Sequence, residues 1–165
     1  LIPYIAGFGM AALAIVPFAF PPDPEQVSYW GGMVRHDSLS QVFKVMVLLA
    51  GSITCFIAAD MVELRRKGEF YLIIIVATLG ACLMSASADL IMVFVALETT
   101  SIPLYILAGL KRDDARSTES GMKYFLFGSF ASALLLFGFS ILYGFTGQTN
   151  IYAIADLLGS ALGSA

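Results

Sequence analysis

Asp89-Leu-Ile-Met-Val-Phe-Val-Ala-Leu-Glu98-Thr-Thr-Ser-Ile-Pro103-Leu-Tyr-Ile-Leu-Ala-Gly-Leu110 is apolar over a membrane-spanning length and carries one carboxylate near its middle. A bilayer core about 30 Å thick is crossed by about 20 helical residues. In lipid every backbone N–H and C=O must find a partner within the protein, which a helix provides by itself. Glu98 is the exception within the run. A carboxylate at bilayer depth costs roughly 3 kcal/mol even on the lenient insertion scale, so such a residue marks a partner or a proton pathway.

The rest of the chain has the same character. Of its 165 residues 59% are hydrophobic and 13% charged, against about a quarter charged in a soluble domain, and mean hydropathy is +0.86. A net charge of −3 gives no basic footprint for nucleic acid. Five segments approach spanning length: Leu1 to Phe20, Leu39 to Ala59, Phe70 to Ser85, Leu90 to Leu110 and Ser120 to Phe145. The third is the shortest and has room to extend to Ala88. The expected fold is therefore all-α, a polytopic transmembrane helix bundle. Residues 1–147 form its five-helix part, and residues 148–165 form an interfacial loop or short amphipathic helix around Asp156. Because the first residue is Leu and no signal-like segment precedes the first span, a piece of a longer polytopic protein is expected.

Loop charges predict an orientation. Arg65, Arg66 and Lys67 lie in one connection and Lys111, Arg112 and Arg116 in another, and five-helix alternation puts both on one side. The opposite side offers Arg35 alone outside the helices. By the positive-inside rule, loops 60–69 and 111–117 are cytoplasmic, or face the matrix or stroma in an organelle. The expected location is the inner (plasma) membrane of a bacterial cell. The connection Pro21 to Asp37, with its Pro-Pro-Asp-Pro turn signal and interfacial Tyr29 and Trp30, then faces outward.

Three ionisable side chains fall within spans. Lys44 is about five residues from the outer end of its helix and is read as snorkelling to the interface. Lys123 stands seven residues past Arg116, with Glu119 four residues before it, the favourable order for an i,i+4 ion pair. A structural pair and a place on a proton path are both open there. Glu98, nine residues from Asp89 and thirteen from Lys111, is too short to reach either helix end. Pro103 removes a backbone donor and its ring crowds the carbonyl of Thr99, which predicts a kinked or opened helix one turn beyond the acid. Thr99, Thr100 and Ser101 offer hydroxyls to the freed backbone groups. On the last span Gly128, Ala131 and Ser132, with Gly121 and Gly138, suggest close packing inside a bundle. Cys55 and Cys82 lie in apolar runs without metal-ligand spacing and read as small hydrophobes, so neither a disulfide nor a metal is expected.

The strings Leu97-Glu98-Thr-Thr-Ser101-Ile-Pro103-Leu-Tyr105, Arg116-Ser117-Thr-Glu119-Ser-Gly-Met-Lys123-Tyr124-Phe-Leu-Phe-Gly128 and Leu142-Tyr143-Gly-Phe-Thr146-Gly147 resemble subunit N of the proton-pumping NADH:quinone oxidoreductases, respiratory complex I. Its counterparts are mitochondrial subunit 2 and the corresponding membrane subunit of the photosynthetic NDH complex. The resemblance implies an antiporter-like fragment covering about transmembrane helices 2 to 6. It implies proton translocation involving Glu98 and Lys123, with Glu119, Thr99, Ser101 and Pro103 supporting them, and with the lysine partner of Glu98 on a later helix. With no ligand cluster for metals and no dinucleotide fingerprint, the chain itself is expected to carry no cofactor. Flavin, iron–sulfur clusters and quinone would reside on partner subunits, and the other membrane and peripheral subunits of the complex, with the lipid bilayer, would be its partners. A subunit of a cation/proton antiporter, a ferredoxin- or deazaflavin-dependent membrane oxidoreductase, and a purely structural membrane scaffold are the alternatives.

Overall fold

The computed structural model describes residues 1–21, 28–61, 64 and 67–163. The expected Pro22-Asp23-Pro24 turn and the basic residues Arg65 and Arg66 lie outside the described residues. Helices dominate: α1 (Ile2–Leu13), α2 (Val16–Ala19), α3 (Ser38–Asp60), α4 (Gly68–Ser85), α5 (Leu90–Ala108), α6 (Ala115–Thr146) and α7 (Ile151–Gly163). Among the described residues five segments are long and apolar enough to cross a membrane, α1 with α2 making the first and α3 to α6 the others.

The first span is not one helix. Pro17 lacks an N–H and its ring crowds the carbonyl four residues back, that of Leu13, and α1 ends at Leu13. Pro103 behaves differently. α5 runs through it without interruption, and the ring is buried, so the expected opening of this helix is not found. The third span ends at Ser85 rather than Ala88.

Packing follows chain order: α1 lies on α3, α3 on α4, α4 on α5 and α5 on α6. Small residues set the approach distances. The buried Ser52 hydroxyl of α3 donates to the Gly7 carbonyl of α1 at 2.9 Å. A methyl group at Gly80 of α4 would stand 2.6 Å from the backbone nitrogen of Thr100, so α4 and α5 touch backbone to backbone. Ala6, Met10, Cys55, Ala58 and Tyr71 fill the core of the first three spans. α6 buries only Gly121 and leans on the bundle through α5.

At one end of the bundle three connections are tied by backbone hydrogen bonds. A short antiparallel hairpin of β1 (Ser28–Tyr29) and β2 (Val34–Arg35) meets the α4–α5 link through Arg35 N–H to Ala86 C=O, 2.7 Å, and Ala88 N–H to Met33 C=O, 2.8 Å. The link in turn meets the α6–α7 turn through Leu90 N–H to Thr149 C=O and Ile151 N–H to Ala88 C=O, both 2.9 Å. Gly147 makes that turn possible: at φ +65° it sits in the left-handed region where α-helices commonly terminate on glycine. Asn150 caps α7 by accepting from Tyr152 N–H at 3.0 Å while donating to Gly32 C=O at 3.1 Å. The Arg35 guanidinium lies 4.4 Å above the Tyr152 ring, so the final helix is bonded to the bundle end.

Candidate functional site: a carboxylate between two spans

Helix α5 is fixed at its start by Asp89, whose buried carboxylate accepts from Ile91 N–H at 2.9 Å, satisfying a donor that a helix N-terminus leaves open. Nine residues on, Glu98 is half-buried on the side of α5 that meets α6. Its Oε1 accepts a hydrogen bond from the Ser132 hydroxyl. Glu98 and Ser132 are the membrane-depth end of an antiparallel seam. Further along it the Tyr105 ring lies edge-on to Tyr124, with centroids 4.8 Å apart, and also occupies the space that a side chain at Gly128 would need. Beyond these, a methyl at Gly121 would stand 2.9 Å from the Gly109 backbone. Finally the Ser117 hydroxyl donates to Ala108 C=O at 3.0 Å.

The expected small residues therefore divide. Gly121, Gly128 and Ser132 face α5, whereas Ala131 is exposed and Gly138 has open space around it. Among the described residues α6 is packed along one face, against α5. The threonines beside Glu98 are also reassigned. Thr99 Oγ1 donates to Val95 C=O at 2.7 Å and Thr100 Oγ1 to Ala96 C=O at 2.9 Å. These carbonyls precede the Thr99 carbonyl that Pro103 crowds, and back-bonding of this kind is ordinary for hydroxyls inside helices. Ser101 is half-buried beside them.

Lys123 pairs with Glu119 along α6, as the spacing predicts. The structure does not bring this pair to Glu98. Lys123 and Ser132 are nine residues apart, which is about 13.5 Å along the axis and half a turn around it at 3.6 residues per turn. Since Ser132 faces α5, Lys123 faces away, and the two side chains of the pair are 64% and 63% exposed.

Lys44 lies on α3. It is half-buried and turned into an apolar cleft of about 420 Å³ between the first, second and third spans, lined also by Leu13, Pro17, His36, Leu48 and Cys82. His36 at this cleft is held by Gln41, whose amide also donates to Phe20 C=O at 2.8 Å. A second apolar cleft, about 320 Å³, opens between α5 and α6. Its lining residues Phe94 and Leu136 are one turn from Glu98 and Ser132, toward the bundle end that holds the α6–α7 turn.

Residues 87–164 match the family model described as NADH:quinone oxidoreductase/Mrp antiporter, TM. The chain is 44% identical over 135 residues to NADH-quinone oxidoreductase subunit N of Desulfovibrio desulfuricans, a match covering 81% of this chain and 27% of that protein. Among solved structures it resembles respiratory complex I from Thermus thermophilus with bound aureothin, with TM-score 0.73 and 30% identity over 90% of this chain and 32% of that one. The membrane-bound sulfane sulfur reductase, an archaeal respiratory membrane complex, shares the fold at TM-score 0.67 and 20% identity, over 94% of this chain and 38% of that one. The chain spans about a third or less of the length of the curated relatives it matches. It is an integral, multi-pass membrane protein, and in sequence and fold it is similar to the antiporter-like subunit N of NADH-quinone oxidoreductases.

Proposed function

We propose that this segment is part of a membrane-embedded proton-translocating subunit of an NADH:quinone oxidoreductase, a non-redox translocase that couples electron transfer from NADH to quinone to proton pumping. The observation that carries the reading is Glu98, held at mid-span on α5 by a hydrogen bond from the neighbouring helix. An ionisable group kept at that depth is expensive and is retained where charge is used. Two titrating groups in a low dielectric stabilise each other's charge, so displacing one changes the proton affinity of the other strongly. In this proposal Glu98, when ionised, supports the protonated state of a lysine on another helix. Withdrawing Glu98 lets that lysine release its proton. Lys123 is proposed as a second proton-translocating group, with Glu119 as its local counter-charge on a face of α6 turned away from Glu98. Thr99, Ser101 and Pro103 shape the helix around the acid.

The redox groups, flavin, iron–sulfur clusters and quinone, would belong to partner subunits, and the other membrane and peripheral subunits of the complex would surround this one. The proposed location is the bacterial inner membrane with loops 60–69 and 111–117 cytoplasmic. In a background lacking Cys55 and Cys82, single cysteines at Lys67 and Arg112 should react with an impermeant thiol reagent from the cytoplasmic side only, and one at Trp30 from the outside only. Labelling of positions 67 and 112 from opposite faces would overturn this topology.

A subunit of a cation/proton antiporter is the second reading, favoured by the family model, whose description names both classes. Co-purification of the full-length protein with flavin- and iron–sulfur-bearing subunits separates the two. The central test is Glu98→Gln in the assembled complex. The amide keeps shape and hydrogen-bonding capacity while removing the titrating charge. Donor-driven acidification of membrane vesicles, normalised to assembled complex, should fall at least fivefold, while Glu98→Asp should retain part of it. Wild-type pumping in Glu98→Gln would leave burial without a proton role.

A further inference from the structure

We propose that Ser132 is the positioning residue for Glu98: its hydroxyl aims the carboxylate at α6 and sets the side-chain conformation from which charge is exchanged. This rests on the proposed role of Glu98 and extends it to a residue on a different span. A glutamate side chain has three rotatable bonds, and in an apolar layer few donors exist to select among its conformers. The Ser132 hydroxyl supplies one, and a hydroxyl donating to a carboxylate belongs to the stronger, charge-assisted class of hydrogen bond.

The seam is built so that such a short side chain reaches. Gly109 against Gly121, and Tyr105 in the space beside Gly128, bring α5 and α6 together. Ser132 continues the same face of α6, four residues past Gly128. One turn beyond it the helices part to form the apolar cleft at Phe94 and Leu136. Ser132 thus holds the last polar contact before the seam opens. The apolar cleft beside it is a poor place for an unpaired carboxylate, so this hydrogen bond marks an engaged Glu98.

The experiment uses the full-length protein in its assembled complex, in membrane vesicles. Ser132→Ala removes the donor at almost constant shape, Ser132→Thr retains it, and Ser132→Cys keeps the size with a much weaker donor. Pumping per assembled complex should fall at least threefold in Ser132→Ala and Ser132→Cys and return to near wild type in Ser132→Thr. Ser132→Ala should add nothing in a Glu98→Gln background. The infrared carboxyl band identified by its loss in Glu98→Gln should shift in Ser132→Ala and stay in place in Ser132→Thr, a signature that a packing role would not produce. If Ser132→Ala does not assemble, Ser132→Cys carries the same comparison. Wild-type pumping in Ser132→Ala while Glu98→Gln is defective overturns the positioning role and leaves Glu98 standing, as does an unmoved infrared band. Wild-type pumping in Glu98→Gln removes the reading beneath both.

Discussion

Two glutamates on adjoining helices each accept a side-chain hydrogen bond, and their settings are opposite. Glu119 is bonded to Lys123 four residues along its own helix, with both side chains nearly two-thirds exposed. Glu98 is bonded to Ser132, 34 residues away and on another helix. The first contact exists whenever α6 is helical, because i,i+4 residues are neighbours on any helix. The second exists only when α5 and α6 approach at one rotation and one register. A contact of the second kind is sensitive to small movements between the spans, which suits a group proposed to respond to a distant electrostatic event. The local pair has no such dependence.

The largest expected effect comes from treating the two acids identically. Glu98→Gln should lower pumping at least fivefold at normal assembly, whereas Glu119→Gln should keep more than half of it. Equal losses in the same vesicle assay would erase the distinction between the cross-helix and the local carboxylate.

The next variant acts on the seam and leaves both acids in place. At Gly121 a side chain meets the Gly109 backbone at 2.9 Å, so the helices must shift, and overpacking of a close contact commonly costs about 1–3 kcal/mol. Gly121→Leu should therefore push α5 and α6 apart, reduce the recovered assembled complex by more than half, and lower pumping in what remains. Leucine at Gly138, where space is open, should leave recovery within about a fifth of wild type. Comparable recovery of the two variants would show that the seam does not hold α6.

The smallest expected effect concerns Lys123. Removing an exposed i,i+4 pair alters helix stability by only a few tenths of a kcal/mol, so Lys123→Ala should assemble normally. A two- to threefold loss of pumping that Lys123→Arg fails to restore fits a group that must release a proton, since arginine holds its proton at all accessible pH. Lost assembly restored by arginine would reduce the residue to a structural partner of Glu119.

The prolines show how far local sequence reaches. Pro17 ends α1 at the carbonyl its ring excludes, as the chemistry of the residue predicts. Pro103 has the same chemistry but sits buried in a helix packed against both α4 and α6, and neighbouring helices hold α5 intact around it. Lys44 carries the same lesson. Counting residues from the helix end gives its depth, but only helix rotation decides that it lines the cleft with His36 and Cys82. Ser132 was visible in the sequence only as one small residue among several. Recognising it as a donor required the antiparallel register that sets it against Glu98.

What the sequence by itself determined is the set of spans, their order, and the acid within the fourth. Lipid leaves an apolar stretch of that length no conformation but a helix, and a charge in such a stretch is conspicuous whatever surrounds it. What only the tertiary structure decided is which face each helix turns to its neighbour: Glu98 toward Ser132, Lys123 away from α5, Lys44 inward. These faces follow from the Ser52–Gly7 contact of α3 with α1, from close approach at Gly80, Gly109 and Gly121, and from the rotation each imposes on its helix. In lipid, where apolar side chains gain little by leaving one apolar surface for another, such steric fit and the few interhelical hydrogen bonds are what choose the contact.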